Sequence, residues 1–209
     1  CFNNSYMLEI QIGDNISLKP ADELSPMLIL GSTGQGKSTT LEQIVLELAR
    51  SKQTGFLYDP YGNLSAGIKK LAVSDEAVEH FAFFDEKVET KKLKKALLGK
   101  FVIVAGDKFK NGGRKTRELA CSLIKLVAEN LQKNSWVVVD EALENISDEL
   151  FEIYLGLKSK GINLVLSDVS LINLSESERK SMISCVKTYV VYKIRNVDAQ
   201  WLEKATEKF

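Results

Sequence analysis

The chain has 209 residues, 44% of them hydrophobic and 27% charged, proportions ordinary for a soluble globular domain large enough to bury one core. Basic and acidic residues number 28 each, so no global basic field advertises nucleic acid, and no apolar run reaches the ~18 residues of a membrane span. Cys1, Cys121 and Cys185 fit neither a disulfide framework nor a zinc site; with no signal peptide, they point to a reducing, cytoplasmic setting.

In chain order, Leu8 to Gly13 and Ile16 to Leu18 read as a small N-terminal hairpin. Leu28-Ile29-Leu30 is an apolar strand running into Gly31-Ser32-Thr33-Gly34-Gln35-Gly36-Lys37-Ser38, and Thr39 to Leu48 then reads as a helix. Gly55 to Asp59 is the next core strand, closed by the turn Pro60-Tyr61-Gly62-Asn63. His80 to Phe84 alternates as an edge strand, so the single histidine is expected at a strand edge or surface. Lys91 to Gly99 forms a short Lys-rich helix, and Phe101 to Ala105 a strand. Lys108 to Lys115 is a basic, glycine-containing loop, followed by an amphipathic helix over Thr116 to Gln132 with Leu119, Leu123, Leu126, Val127 and Leu131 on one face. Ser135 to Val139 is a strand ending in Asp140-Glu141. A helix over Asp148 to Ser159 ends at Gly161; Ile162 to Ser167 and Thr188 to Ile194 are strands, and Asp198 to Lys208 closes the chain as a helix. Strands alternating with helices predict an α/β fold with a mostly parallel central sheet flanked by helices.

The pattern G-x-x-x-x-G-K-S between a strand and a helix is a phosphate-binding P-loop in its structural context. Its glycines let successive backbone N–H groups turn toward phosphate oxygens, and the helix adds its positive end. The nucleotide-binding residues are therefore Gly31, Ser32, Thr33, Gly34, Gln35, Gly36, Lys37, Ser38 and Thr39. Lys37 reaches the β- and γ-phosphates of ATP, and Ser38 offers its hydroxyl to Mg²⁺. In an open α/β sheet, ligands sit outside the carboxyl ends of the strands. Asp140 and Glu141 thus arrive at the same edge, Asp140 to hold Mg²⁺ and Glu141 to deprotonate the attacking water. The structural alternative is that this pair merely caps the helix after it.

These motifs, in this order, resemble the HerA/FtsK-type ATPases, most closely the TraD/TraG-type coupling ATPases of conjugation and type IV secretion. The resemblance rests on the P-loop, on Asp59-Pro60-Tyr61-Gly62-Asn63-Leu64 as a D-P-x-G-x-L signature, on Val139-Asp140-Glu141, and on the closing Tyr192 to Ala199. It covers nearly the whole chain and implies a RecA-like P-loop NTPase domain over 1–209, acting as a ring, hexameric by analogy. Implied partners are DNA and secretion-channel or relaxase proteins, at the inner face of the membrane through partners or a missing segment. A start at Cys1 reads as an excised domain, and the roughly hundred residues from Ser38 to Asp140, too few for the family's helical insertion, read as a trimmed motor core or a short relative.

Three features depart from the family pattern. Val169, next to Asp168, stands where the family has a glutamine; Lys158 and Lys160 stand where it has an arginine; and no large helical insertion separates the P-loop from the acidic strand. A finger arginine supplied by a neighbouring subunit is therefore sought among Arg114, Arg117, Arg179 and Arg195, with Arg195 and Arg114 foremost and Arg195 leading because it is expected to end a core strand. Lys108 and Lys110, with Phe109 between them, are candidate DNA contacts; the alternative is a solvated loop. The leading expectation is an ATP-hydrolysing DNA translocase. A viral genome-packaging ATPase of the same superfamily is the nearest alternative, and an ATP-binding switch or assembly protein with little hydrolysis is the alternative of another class.

Overall fold

The computed structural model describes residues 10–13, 16–18, 25–70, 77–82, 90–106, 113–143 and 147–206. Continuous apolar runs become strands covered on both faces: β3 (Met27–Leu30), β4 (Gly55–Asp59), β6 (Phe101–Ala105), β7 (Trp136–Val139) and β8 (Asn163–Asp168) are buried at nearly every position. With β5 (Val78–Ala82) and β9 (Thr188–Val191) at the edges they form one seven-stranded sheet, ordered β5-β6-β4-β7-β8-β3-β9. Every neighbouring pair in it is parallel. The antiparallel hairpin expected at the N-terminus is present as β1 (Ile10–Gly13) and β2 (Ile16–Leu18).

Side chains alternate across the sheet and supply two cores. On one face Leu28, Leu30, Phe56, Val102, Val137, Val139 and Leu166 meet α3 (Thr90–Leu97), α4 (Gly113–Asn130) and α5 (Asp148–Ser159). On the other, Ile29, Leu57, Ile103, Val138 and Val165 meet α1 (Lys37–Arg50) and α2 (Asn63–Lys70). The chain closes with α6 (Glu176–Cys185) and α7 (Asn196–Thr206).

Parallel register brings the strand ends to one edge. Leu30 pairs with Asp168 and Val191, and Val139 pairs with Leu166 and Tyr58. The P-loop strand β3 and the acidic strand β7 stand two places apart with β8 between them, so the loop after β8 lies between their termini.

Several element boundaries differ from expectation. The helices α2 and α6 lie outside the expected elements; α2 buries Leu64 and Ile68 one turn apart, whereas α6 buries only Met182 among its hydrophobic side chains. Its start is nevertheless written as Ser175-x-x-Glu178, a capping box formed in full. Helix α4 begins at Gly113, which takes Arg114 and Lys115 out of the expected basic loop; Lys108, Phe109 and Lys110 lie outside the described residues. Strand β9 stops at Val191 rather than Ile194, because its partner β3 ends at Leu30 and turns into the P-loop. Arg195 therefore does not end a core strand; it is an exposed residue in the turn between β9 and α7.

Candidate active site

Helix α1 starts without a conventional cap. Its N-cap is Gly36 in the left-handed region (φ 104), no side chain bonds to its free N–H groups, and its first turn carries no acidic residue. By contrast α5 and α6 are capped by Ser147 and Ser175 and have two acidic residues each in their first turns. Uncapped N–H groups at a helix's positive end, with no local carboxylate to answer them, form an anion site. Gly34 (φ 78) and Gly36 supply the left-handed turns that bend the loop over this end.

The loop is held from below. Gly31 N donates to Asp168 O at 3.2 Å and Ser32 N to Lys193 O at 2.8 Å. Tyr192 packs under it: a Cβ on Gly31 would lie 2.7 Å from Tyr192 Cβ, Gly36 faces the Tyr192 ring, and the Tyr192 hydroxyl is bonded to Thr40 Oγ1 on α1. Lys37 is buried, and its Nζ donates to Gly31 O at 2.7 Å, an internal carbonyl holding the ammonium where phosphate oxygens would replace it. Ser38 and Thr39 are exposed at the mouth of the loop.

Opposite the loop stand two buried carboxylates. Asp59, at the end of β4, is wholly buried and accepts from Gly62 N (2.9 Å), Ser65 N (2.8 Å) and Ser65 Oγ (2.9 Å). The Asp-Pro-x-Gly turn thus wraps around its own carboxylate. Asp140 is 7% exposed. Burial pushes its carboxyl up from 3.8 to about 6; Ser167 lowers it, the Asp59 charge raises it further, and the Glu141 N–H and the Lys37 ammonium lower it. Ser167 Oγ exerts this pull without a hydrogen bond of normal geometry. Glu42, on α1, is also raised, first by burial and then by Asp59. This corner therefore holds a poorly solvated carboxylate next to the Asp59 charge, which a cation would relieve. The oxygen donors fit Mg²⁺, which keeps several waters and takes one or two carboxylates plus phosphate. Asp140 and the Ser38 hydroxyl would hold it.

Glu141 is half-buried and left-handed, with φ 51. The turn after it is tied to β8 by Ala142 N to Ser167 O (2.9 Å) and Leu143 N to Asp168 Oδ2 (2.6 Å). Asp140 and Glu141 are therefore not caps of α5, whose N-cap is Ser147. Val169, where a glutamine was sought, is half-buried, and its N–H is occupied by Asp168 Oδ1 at 2.6 Å. Asp198 closes the far side of that loop, accepting from Ser170 Oγ (2.7 Å) and Leu171 N (2.9 Å).

The structure brings the P-loop residues, Lys37, Ser38, Asp140 and Glu141 to one edge. It does not bring Lys158 or Lys160 there: α5 runs antiparallel to the strands, and these lysines donate to Cys185 O and Ala128 O, away from the P-loop. Asp59, Asp168, Tyr192 and Asp198 join the site although their residue types alone gave them no role. The Asp-Pro-x-Gly spacing around Asp59 carried a signal, as did the closing Tyr192 to Ala199 segment that holds Tyr192 and Asp198.

No protein-family model matches the sequence, and no curated protein matches it. Solved structures do. The chain is similar to the genome packaging NTPase B204 of Sulfolobus turreted icosahedral virus 2 in complex with AMPPCP, at 14% identity and TM-score 0.57, over 88% of this chain and 84% of that one. It is similar to the cytoplasmic domain of EssC at 18% identity and TM-score 0.54, over 94% of this chain and 38% of that one. It is also similar to the pCW3 conjugation coupling protein TcpA, monomer form with ATPγS, at 14% identity and TM-score 0.50, over 97% of this chain and 60% of that one. What is shared at these identities is the RecA-like α/β fold of P-loop NTPases. Among the described residues no helix is long and apolar enough to cross a membrane.

Proposed function

We propose that this chain is a Mg²⁺-dependent ATPase of the HerA/FtsK type that moves DNA as a multimeric ring, in conjugative transfer or type IV secretion. The observation that carries the reading is the opposition of an uncapped, glycine-bent P-loop to the buried Asp140, whose carboxyl burial raises, with Glu141 next to it in the chain. Phosphate binding draws Lys37 off Gly31 O and onto the β- and γ-phosphates. Mg²⁺ held by Asp140 and the Ser38 hydroxyl would supply positive charge against the charge that develops on the phosphates. Glu141 takes the proton of the water whose oxygen attacks the γ-phosphorus, and the bond to the bridging oxygen breaks to release ADP.

A neighbouring subunit supplies the missing cation. Arg195 is exposed at the nucleotide edge and Arg114 lies in the first turn of α4; either would serve as the finger, and Lys108 and Lys110 would contact DNA. Channel or relaxase proteins at the inner membrane face are the partners this reading implies.

Two observations support other readings. Every described element between α1 and β7 belongs to the sheet or its two helical layers, with none set apart as a substrate-recognition insertion; this supports a compact genome-packaging ATPase. Val169, with its N–H engaged by Asp168, supports an ATP-binding switch. Turnover per subunit measured across protein concentration, with and without single- or double-stranded DNA, separates motor from switch. A motor accelerates with concentration and with DNA, and salt weakens the DNA effect. A rate indifferent to both overturns the motor reading.

A further inference from the structure

We propose that Asp168 is the positioning residue for Glu141, aiming its carboxylate by clamping the turn that follows it. The inference rests on the reading of Glu141 as the base. A side chain makes the left-handed region costlier than the common backbone regions, and the turn that follows Glu141 (φ 51) is tied to β8. Ala142 N is fixed by Ser167 O, and Leu143 N by Asp168 Oδ2. Released from these bonds, the turn is free to relax to a commoner backbone region, which would re-aim the Cα–Cβ bond of Glu141.

Asp168 suits this task. It is 2% exposed, and its two oxygens divide between two segments. Oδ2 takes Leu143 N at 2.6 Å, on the acidic-strand side; Oδ1 takes Val169 N at 2.6 Å and Ser170 N at 3.4 Å, on its own loop. Its carbonyl meanwhile accepts Gly31 N, the first residue of the P-loop. One residue thus ties the phosphate loop, the base-bearing turn and the loop after β8 into a single frame. The position beside it, Val169, offers the phosphates no polar side chain. In this chain the end of β8 serves the reaction by orienting Glu141.

The experiment is a double-mutant cycle on the full chain, using Asp168→Asn, Glu141→Gln and the pair. Steady-state ATPase is read together with equilibrium binding of a fluorescent ATP analogue. An asparagine keeps the volume but sets an N–H₂ against one of the backbone donors. Asp168→Asn should lower kcat about a hundredfold, the scale of an ångström-sized misplacement, and leave KM and analogue affinity unchanged. In the Glu141→Gln background it should lower kcat no further, because the group it positions is gone. Asp168→Glu, which keeps the buried charge but moves it by one methylene, should show the same split and covers the case in which the asparagine variant does not fold. Unchanged kcat in both Asp168 variants, or an equal loss in both backgrounds, overturns the assignment. If Glu141→Gln alone retains parental turnover, the base reading fails first, and this inference goes with it.

Discussion

Replacing Asp140 with asparagine should make the nucleotide-free protein more stable while abolishing its use of metal, and the gain should depend on pH. Burial and the neighbouring Asp59 raise the Asp140 carboxyl from 3.8 to about 6. Below pH 3.8 the group is protonated whether folded or unfolded, and its ionisation costs the fold nothing. Between 3.8 and about 6 the unfolded chain loses the proton that the folded chain keeps, so unfolding becomes easier as pH rises. Above about 6 the full difference is felt, about 3 kcal/mol at 1.36 kcal/mol per unit. Asparagine never ionises. Asp140→Asn should therefore match the parent near pH 3.5 and exceed it by up to about 3 kcal/mol at pH 7.5, or about 6–12 °C in Tm for a domain of this size. Glu42 is raised in the same direction, but it is present in both proteins and largely cancels in the difference. The assay is denaturant unfolding in EDTA at half-unit pH steps. Adding Mg²⁺ and ATP should erase the advantage, because the parent then gains the cation its carboxylate lacks. A stability difference constant across pH 4–7.5 would refute the account of Asp140 as an acid whose carboxyl burial raises.

Lys37→Ala removes the ammonium that Gly31 O holds ready, and calorimetric titration should find ATP affinity or hydrolysis lost. Glu141→Gln should bind ATP as the parent does and stall before hydrolysis, seen as retained analogue binding with turnover down ~10²–10⁴-fold, the range of general base catalysis. Gly36→Ala places a Cβ at φ 104, where the left-handed penalty is roughly 1–2 kcal/mol; denaturant midpoints should fall accordingly, and ATP binding should weaken with them.

How much was legible in the sequence differs from element to element. The strands β3, β4, β6, β7 and β8 were readable because burial on both faces demands uninterrupted apolar runs, and the P-loop because its glycines and lysine are fixed by the backbone path around a phosphate. Asp140 and Glu141 followed from the rule that strand ends carry the site. Helix α6 escaped because its apolar face is nearly absent, and the Ser175 to Glu178 capping box was its only written signal. The extent of β9 was misjudged because Tyr192 to Ile194 has strand composition, whereas its length is set by where β3 ends.

Local chemistry, then, is what the sequence determined by itself: a phosphate-binding turn, two carboxylates after a buried strand, and an alternating α/β order that selects a parallel sheet. Strand order was left to the tertiary structure. Interposing β8 between β3 and β7 puts Asp168 between P-loop and acidic turn, holds Glu141 left-handed, and sends Lys158 and Lys160 away from the nucleotide edge. Burial likewise raises Asp140, and the charge of an Asp59 that lies 81 residues earlier in the chain raises it further. These effects depend on distances between segments remote in sequence, fixed only when packing of the two cores closes the sheet.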